Sequence, residues 1–305
     1  MKKLDWKPFC LALSALTLAL SGPAWAEEAK SSMPTEPQQQ SAETQSVQGD
    51  VDKASAAKEA EKRKAVLEDA IAAIEQTRKA LVALEENKPK EALEALEVAT
   101  GKLELLLARD PKLALAPIGV EVRTYDLLAR PETVKAVVKE AEDYLEDGEV
   151  QKARHLLGNL ASEIVFTTTS IPLATYPDAI KAISPLIDAG KIEEAKTALK
   201  AALNTLVITD DIVPLPVLRA EYMLAAAKAL SENMERSDED NQLLARLLKS
   251  ARIQLQLAEA LGYGNKKLFK PMYKEIDKIE EKSAGGKGGK GWFDELEKQF
   301  SELMS

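Results

Sequence analysis

The sequence predicts an all-α fold: stacked antiparallel helical hairpins in one domain, joined by short extended connectors bounded by proline. Three observations carry this. Apolar residues make up 45% of the 305-residue chain but aromatics only 5%, and that reliance on Ala and Leu suits packed helices better than a sandwich or barrel. Apolar side chains recur at three- and four-residue steps over most of the length. A helix–turn–helix pattern also returns within the chain, marked by Gly148 and Gly190.

The first segment, 1–26, reads as a secretory signal peptide. Lys2, Lys3 and Lys7 precede an apolar run from Phe9 to Leu20, and Ala24-Trp25-Ala26 supplies a small-x-small cleavage site. The run stops at Ser21-Gly22-Pro23, short of the roughly 20 residues an anchor helix needs. No Cys follows at a lipobox position. Cleavage would place the protein in the periplasm of a bacterium, without a stable membrane anchor. It would also remove Cys10, Trp6 and Trp25, leaving Trp292 as the single tryptophan.

Residues 27–52 are rich in Glu, Gln, Ser, Thr and Pro and read as a disordered linker, because they have too little apolar surface to offset ordering. The helical domain is expected over 53–282. Leu67, Ile71, Ile74 and Leu81 define a face of its first regular helix. Pro89 opens a second, with Leu93, Leu96, Thr100, Leu103 and Leu107 in step, so the pair forms a hairpin around Asn87. From Ala116 to Ala129, Ile118, Val120 and Val122 alternate with other residues; this run is too short alone to be more than an extended connector. Arg130-Pro131-Glu132 starts the next helix.

The shift that carries Gly148 to Gly190 also carries Leu145 to Ile187, Ala153 to Ala195, Leu157 to Leu199, Val165 to Val207 and Pro172-Leu173 to Pro214-Leu215. Each copy reads as helix, Gly turn, helix, β-branched run and Pro-bounded corner. The glycines suit left-handed caps, and the alanines suit close helix approach. The step from Asn87 to Ala92 repeats that spacing. Asn87, Gly148 and Gly190 are unequally spaced, and no aromatic signature is present, which argues against a tetratricopeptide array. Beyond Pro214, Leu215, Leu218, Tyr222 and Ala229 continue one helical face. Leu244, Leu247, Leu248, Ala251, Leu255 and Ala258 line another, ending at Gly262, and a charged helix follows over 266–282. Residues 283–291 read as a Gly-rich flexible linker to an amphipathic terminal helix, 292–305, with Trp292, Phe293, Leu296, Phe300 and Leu303 in one stripe.

Chemistry is sparse. One Cys excludes a disulfide framework, one His excludes a His-rich metal cluster, and a net charge of -9 argues against nucleic acid. No catalytic, cofactor or metal residue is assigned. His155 has no nucleophile elbow near it, and the glycines of the tail lack the Walker spacing. Glu85-Glu86, Glu193-Glu194 and Glu280-Glu281 suit solvated helix faces, and Asp238-Glu239-Asp240 suits a helix N-terminus. The terminal stripe is the candidate partner-binding surface. Asp294, Glu295, Glu297 and Glu302 around it disfavour anionic lipid, leaving a partner groove or the chain's own domain. The corner residues Pro172, Tyr176, Pro177, Pro214 and Pro216 are candidates for a conformational role.

From Gly148 through Ala225 the chain resembles the YfdX family of exported bacterial proteins. The likeness rests on Gly148 with Ala153-Arg154 and on the corner Ser170-Ile171-Pro172-Leu173-Ala174-Thr175-Tyr176-Pro177 followed by Ala179-Ile180. Gly190 with Ala195, and Leu206-Val207-Ile208 leading to Pro214-Leu215-Pro216, continue it. It extends over about 60–265 and leaves the aromatic tail unexplained. The resemblance implies a periplasmic, mainly helical homo-oligomer, associated in enteric bacteria with acid and multidrug stress, and supplies no catalytic residues. The function expected is stress-associated binding, chaperone-like toward protein clients, with acid loosening carboxylate pairs. The alternatives are an adaptor for envelope proteins and a small-molecule binder.

Overall fold

The computed structural model describes residues 40–304. The signal segment and the first half of the expected linker lie outside them. The described chain is mainly helical, but a three-stranded antiparallel sheet corrects the all-α expectation.

Helix α1 (Ala42–Lys64) begins inside the stretch read as disordered. Ser41 caps it, its hydroxyl accepting from Thr44 N at 3.1 Å. Val47 and Val51 are the two large apolar residues near its start, and both are buried. Their burial against distant helices orders a segment whose own composition is too polar to do so.

Three units follow, each made of helix, a left-handed cap, a helix and a strand, with two short helices before the cap in the third. The first is α2 (Glu68–Glu85), α3 (Pro89–Arg109) and β1 (Leu115–Tyr125). The second is α4 (Pro131–Glu146), α5 (Val150–Leu157) and β2 (Glu163–Pro172). The third is α6 (Tyr176–Lys181), α7 (Ser184–Asp188), α8 (Ile192–Leu203) and β3 (Val207–Pro214). Asn87, Gly148 and Gly190 have φ of 59°, 75° and 71°, the conformation the cap requires. In each, the next residue's amide reaches back five positions: Lys88 to Ala83 O at 2.8 Å, Glu149 to Tyr144 O at 2.7 Å and Lys191 to Leu186 O at 2.9 Å. Ala92, Ala153 and Ala195, five residues beyond, are all fully buried.

The β-branched runs read as connectors therefore pair with one another. The sheet order is β1-β2-β3, with Phe166 opposite Val122 on one side and Asp211 on the other. Pro117 is accommodated at an irregularity in the edge strand β1.

The first and third units share a core of Ala70, Ala73, Ala80, Ala92, Ala95, Leu96, Leu103, Ile180, Ala195 and Leu199. Ile74, Leu96 and Leu103 of the stripe read from sequence lie in this core. Leu67, Leu81, Leu93 and Leu107 lie at its margin, while alanines occupy the centre. The α4–α5 hairpin instead packs outward on α10 (Asp238–Ala260).

The remaining helices, α9 (Leu215–Glu232), α10, α11 (Lys266–Ser283) and α12 (Asp294–Met304), form a second core around Met223, Leu248, Phe269, Met272, Ile276 and Phe293. Asp238-Glu239-Asp240 is the first turn of α10, closed by a reciprocal Ser237–Asp240 capping box. A third cluster, of Val51, Ile164, Phe166, Val213, Leu215 and Leu218, joins α1, the sheet and α9.

The glycine stretch before α12 is pinned where a flexible linker was expected. Gly289 N donates to Ser231 O at 3.0 Å, and Arg236 Nη2 donates to Lys287 O at 2.7 Å. A Cβ on Gly288 would lie 2.7 Å from Ser231 O, so the backbone's close approach requires glycine there.

Candidate functional site

Helix α9 contributes residues to two clefts. Pro214 and Pro216 bring the chain from β3 into it, where a missing amide costs nothing in the first turn. Leu215 N donates to Ser162 O at 2.9 Å, and Ser162 N donates to the Tyr263 hydroxyl at 2.8 Å, fixing the entry angle. Ten of its residues are buried, including Arg219. A cleft lies on either side.

On the first side Arg219 is only 2% exposed. Its Nη1 and Nη2 meet Asp126 Oδ1 and Oδ2 at 2.9 and 2.8 Å, and Nη2 also reaches Gln48 Oε1 at 3.2 Å. Gln40 Nε2 donates to Asp126 Oδ2 at 3.1 Å. This forked pair offsets the desolvation of a buried guanidinium and ties α9 to α1 and to the loop after β1. A cavity of about 170 Å³ adjoins it, lined by Gln40, Thr44, Leu127, Arg130, Ile253 and Gln254 among others. Arg219 Nε and Gln254 Oε1 are buried there without a protein partner. Asp126 is engaged by the guanidinium, so the cluster holds charge in place and offers no free base.

On the other side a groove of about 450 Å³ runs between α9 and α12. Leu224, Ala225, Phe293, Leu296 and Phe300 line it, with Glu221 and Glu297 among the polar residues. Lys228 Nζ holds Glu297 Oε1 at 2.6 Å. No cation pairs with Glu221 among the described residues, and partial burial pushes its carboxyl above the usual glutamate value.

The structure places the sequence candidates as follows. Phe293, Leu296 and Phe300 are buried in the chain's own second core, with Trp292 and Leu303 packed against it. The stripe thus folds back on its own domain, one of the two destinations left open by the sequence. Three of its five residues do line the groove. Their groove partners Glu221, Leu224 and Ala225 were missed, as was Arg219, because nothing local distinguishes them from other residues of an Ala-rich helix.

The two corners are not brought together. Pro172 ends β2 opposite Leu115, whereas Pro214 ends β3 opposite Glu163, at the other end of β2. Tyr176 and Pro177 are buried at the start of α6. Burial raises the Tyr176 phenol, against the pull of the neighbouring Thr77 hydroxyl. That hydroxyl itself donates to Ala73 O at 2.9 Å, and the Tyr176 oxygen meets no partner with full hydrogen-bond geometry. These corners turn strand into helix. His155 is exposed on α5. Among the described residues no group of His, Cys, Asp and Glu is arranged to hold a metal, and no helix is long and apolar enough to cross a membrane.

No curated protein matches this chain. Three solved chains do. One is YfdX of Salmonella Typhi, 15% identical, aligned over 49% of this chain and 93% of its own with a TM-score of 0.35. The model of the family described as YfdX protein matches residues 73–212, from within α2 to within β3. Arg219, Glu221 and α12 lie beyond it. Residues 73–212, which include the Gly148 and Gly190 caps and the Pro172–Pro177 corner, are thus similar to the YfdX family.

Proposed function

We propose that this protein is exported to the bacterial periplasm and works there by binding other polypeptides, chaperone-like, under acid or other envelope stress. The observation that supports it is a face of the sheet that stays exposed among the described residues. Val122, Ile164, Phe166 and Val213 point toward α1 and the third core cluster. The alternate residues, Val165, Thr167 and Thr169 on β2 with Ile208, Asp210 and Ile212 on β3, form the opposite face. Ile208 is 66% exposed and Ile212 50%. Among the described residues β3 pairs with β2 alone, so it also presents a sheet edge. An extended client could add to that edge while its side chains cover the two isoleucines. Asp210, Asp211 and Pro214 guard the edge against uncontrolled pairing. A second copy of the chain would compete for the same face, which links the reading to homo-oligomerisation.

The test is suppression of aggregation of a denatured client at neutral pH and at about pH 5, between the usual carboxylate and histidine values. The wild type is compared with the double variant Ile208→Asp, Ile212→Asp, and mass is followed by light scattering. Both sites are exposed, so folding should survive. Loss of at least about half the suppression is expected if the two side chains supply most of the contact area. Undiminished suppression would remove the sheet face from the mechanism.

A further inference from the structure

We propose that the groove between α9 and α12 is a binding site for an organic cation with an apolar body. The proposal is independent of client binding by the sheet. Three features of the groove specify this class. Its volume of about 450 Å³ lies within the range of small-molecule sites. Its apolar lining is Leu224, Ala225, Phe293, Leu296 and Phe300, which favours an apolar body.

The third feature is charge. Glu221 and Glu297 are the ionisable residues of the lining, and Lys228 neutralises only Glu297. Glu221, exposed at the groove's edge, therefore sets a negative charge with no cation partner among the described residues beside an apolar surface, and a ligand's positive charge would pair with it. A neutral apolar compound would leave that carboxylate more desolvated than before, and an anion would be repelled.

Ser301 completes the polar part of the lining. The site depends on the terminal helix, since Phe293, Leu296, Glu297, Phe300 and Ser301 come from the segment 293–301. The pinned glycines and the Lys228–Glu297 pair hold that segment against α9.

The experiment uses the full chain and two probes of matched shape and opposite charge, tetraphenylphosphonium and tetraphenylborate, followed by calorimetry. Saturable binding of the phosphonium is expected, at least about fivefold tighter than the borate, as one partly exposed charge contact allows. Glu221→Gln should weaken the phosphonium about threefold or more and leave the borate unchanged or improved. Ala225→Phe, which fills the groove from an exposed position, should abolish saturable binding of the phosphonium.

Equal affinity for both ions, or an unchanged affinity in Glu221→Gln, would overturn the role of charge. Undiminished binding in Ala225→Phe would place the ligand elsewhere. No saturable binding by a chain of unchanged circular dichroism would refute the site.

Discussion

The two cores of this molecule are made of different material. The one shared by the first and third units contains nine alanines but neither phenylalanine nor methionine. The one beneath α9 contains Phe269, Phe293, Phe300, Met223 and Met272. Alanine at a helix seam lets backbones approach closely and leaves little room for change. Long flexible side chains instead fill irregular space and tolerate exchange. The alanine core belongs largely to the family-matching segment. The phenylalanine and methionine core lies mostly outside it, received the terminal helix, and kept a groove beside it. The first is closed to volume, whereas the second depends on volume being supplied.

The largest effect expected from that contrast is Phe269→Ala, which empties a fully buried position of the second core. It should lower unfolding free energy by about 3–5 kcal/mol, read from the denaturant midpoint and slope. A loss under 1 kcal/mol would show that this core is already loose.

A sharper comparison places an enlarging substitution in one core beside a volume-conserving exchange in the other. Ala195→Leu, at a fully buried seam position, should cost about 1–3 kcal/mol, whereas Met272→Leu should cost less than about 1.5 kcal/mol. If the second variant is the more damaged, the distinction between the cores fails.

The smallest effect concerns acid. In Asp69 the Lys102 hydrogen bond outweighs partial desolvation, and Arg109 adds to it, so the carboxyl lies below its usual value. In Asp211 burial acts upward, but Lys58 and Lys62, at 2.9 and 3.0 Å, together bring the carboxyl down. Stability from such pairs is present above the unfolded aspartate value of roughly 3.9 and is lost only as pH falls through the lower folded values. Mild acid leaves them intact, which restricts the expected loosening of carboxylate pairs.

Glu221 has the opposite sign. Its folded value is raised, so its contribution is fully present below the unfolded value and is lost as pH rises through the folded one. Glu221→Gln should therefore raise the urea midpoint slightly at pH 7, and the difference should fade on approach to roughly pH 4.3. A difference constant across that range would place the cause outside the carboxyl.

Much of the architecture was legible where a single residue carries a backbone requirement. Gly148, Gly190 and Asn87 announce left-handed caps, and Ala92, Ala153 and Ala195 the close approaches that follow. The sheet was not legible, because each β-branched run is short and acquires meaning only when Val165 meets Arg123 and Ile212 from distant segments. The start of α1 was misread for a similar reason. Val47 and Val51 are few, and the residues that bury them are far along the chain. At the candidate sites the aromatic stripe was visible, but its destination was not. A helical period reveals that a face is apolar without revealing what covers it.

Helix α1 also sets an order of events. Gln48 meets Arg219 across 171 residues, Glu43 is reached by Arg246 across 203, and Thr44 by Gln254 across 210. The capped units can gain their local contacts as soon as each is available. The N-terminal helix must wait for nearly the whole chain, and its docking bears the largest loop-closure entropy. Late closure is therefore expected: α1, the first of the described helices along the chain, should be among the last to find its place.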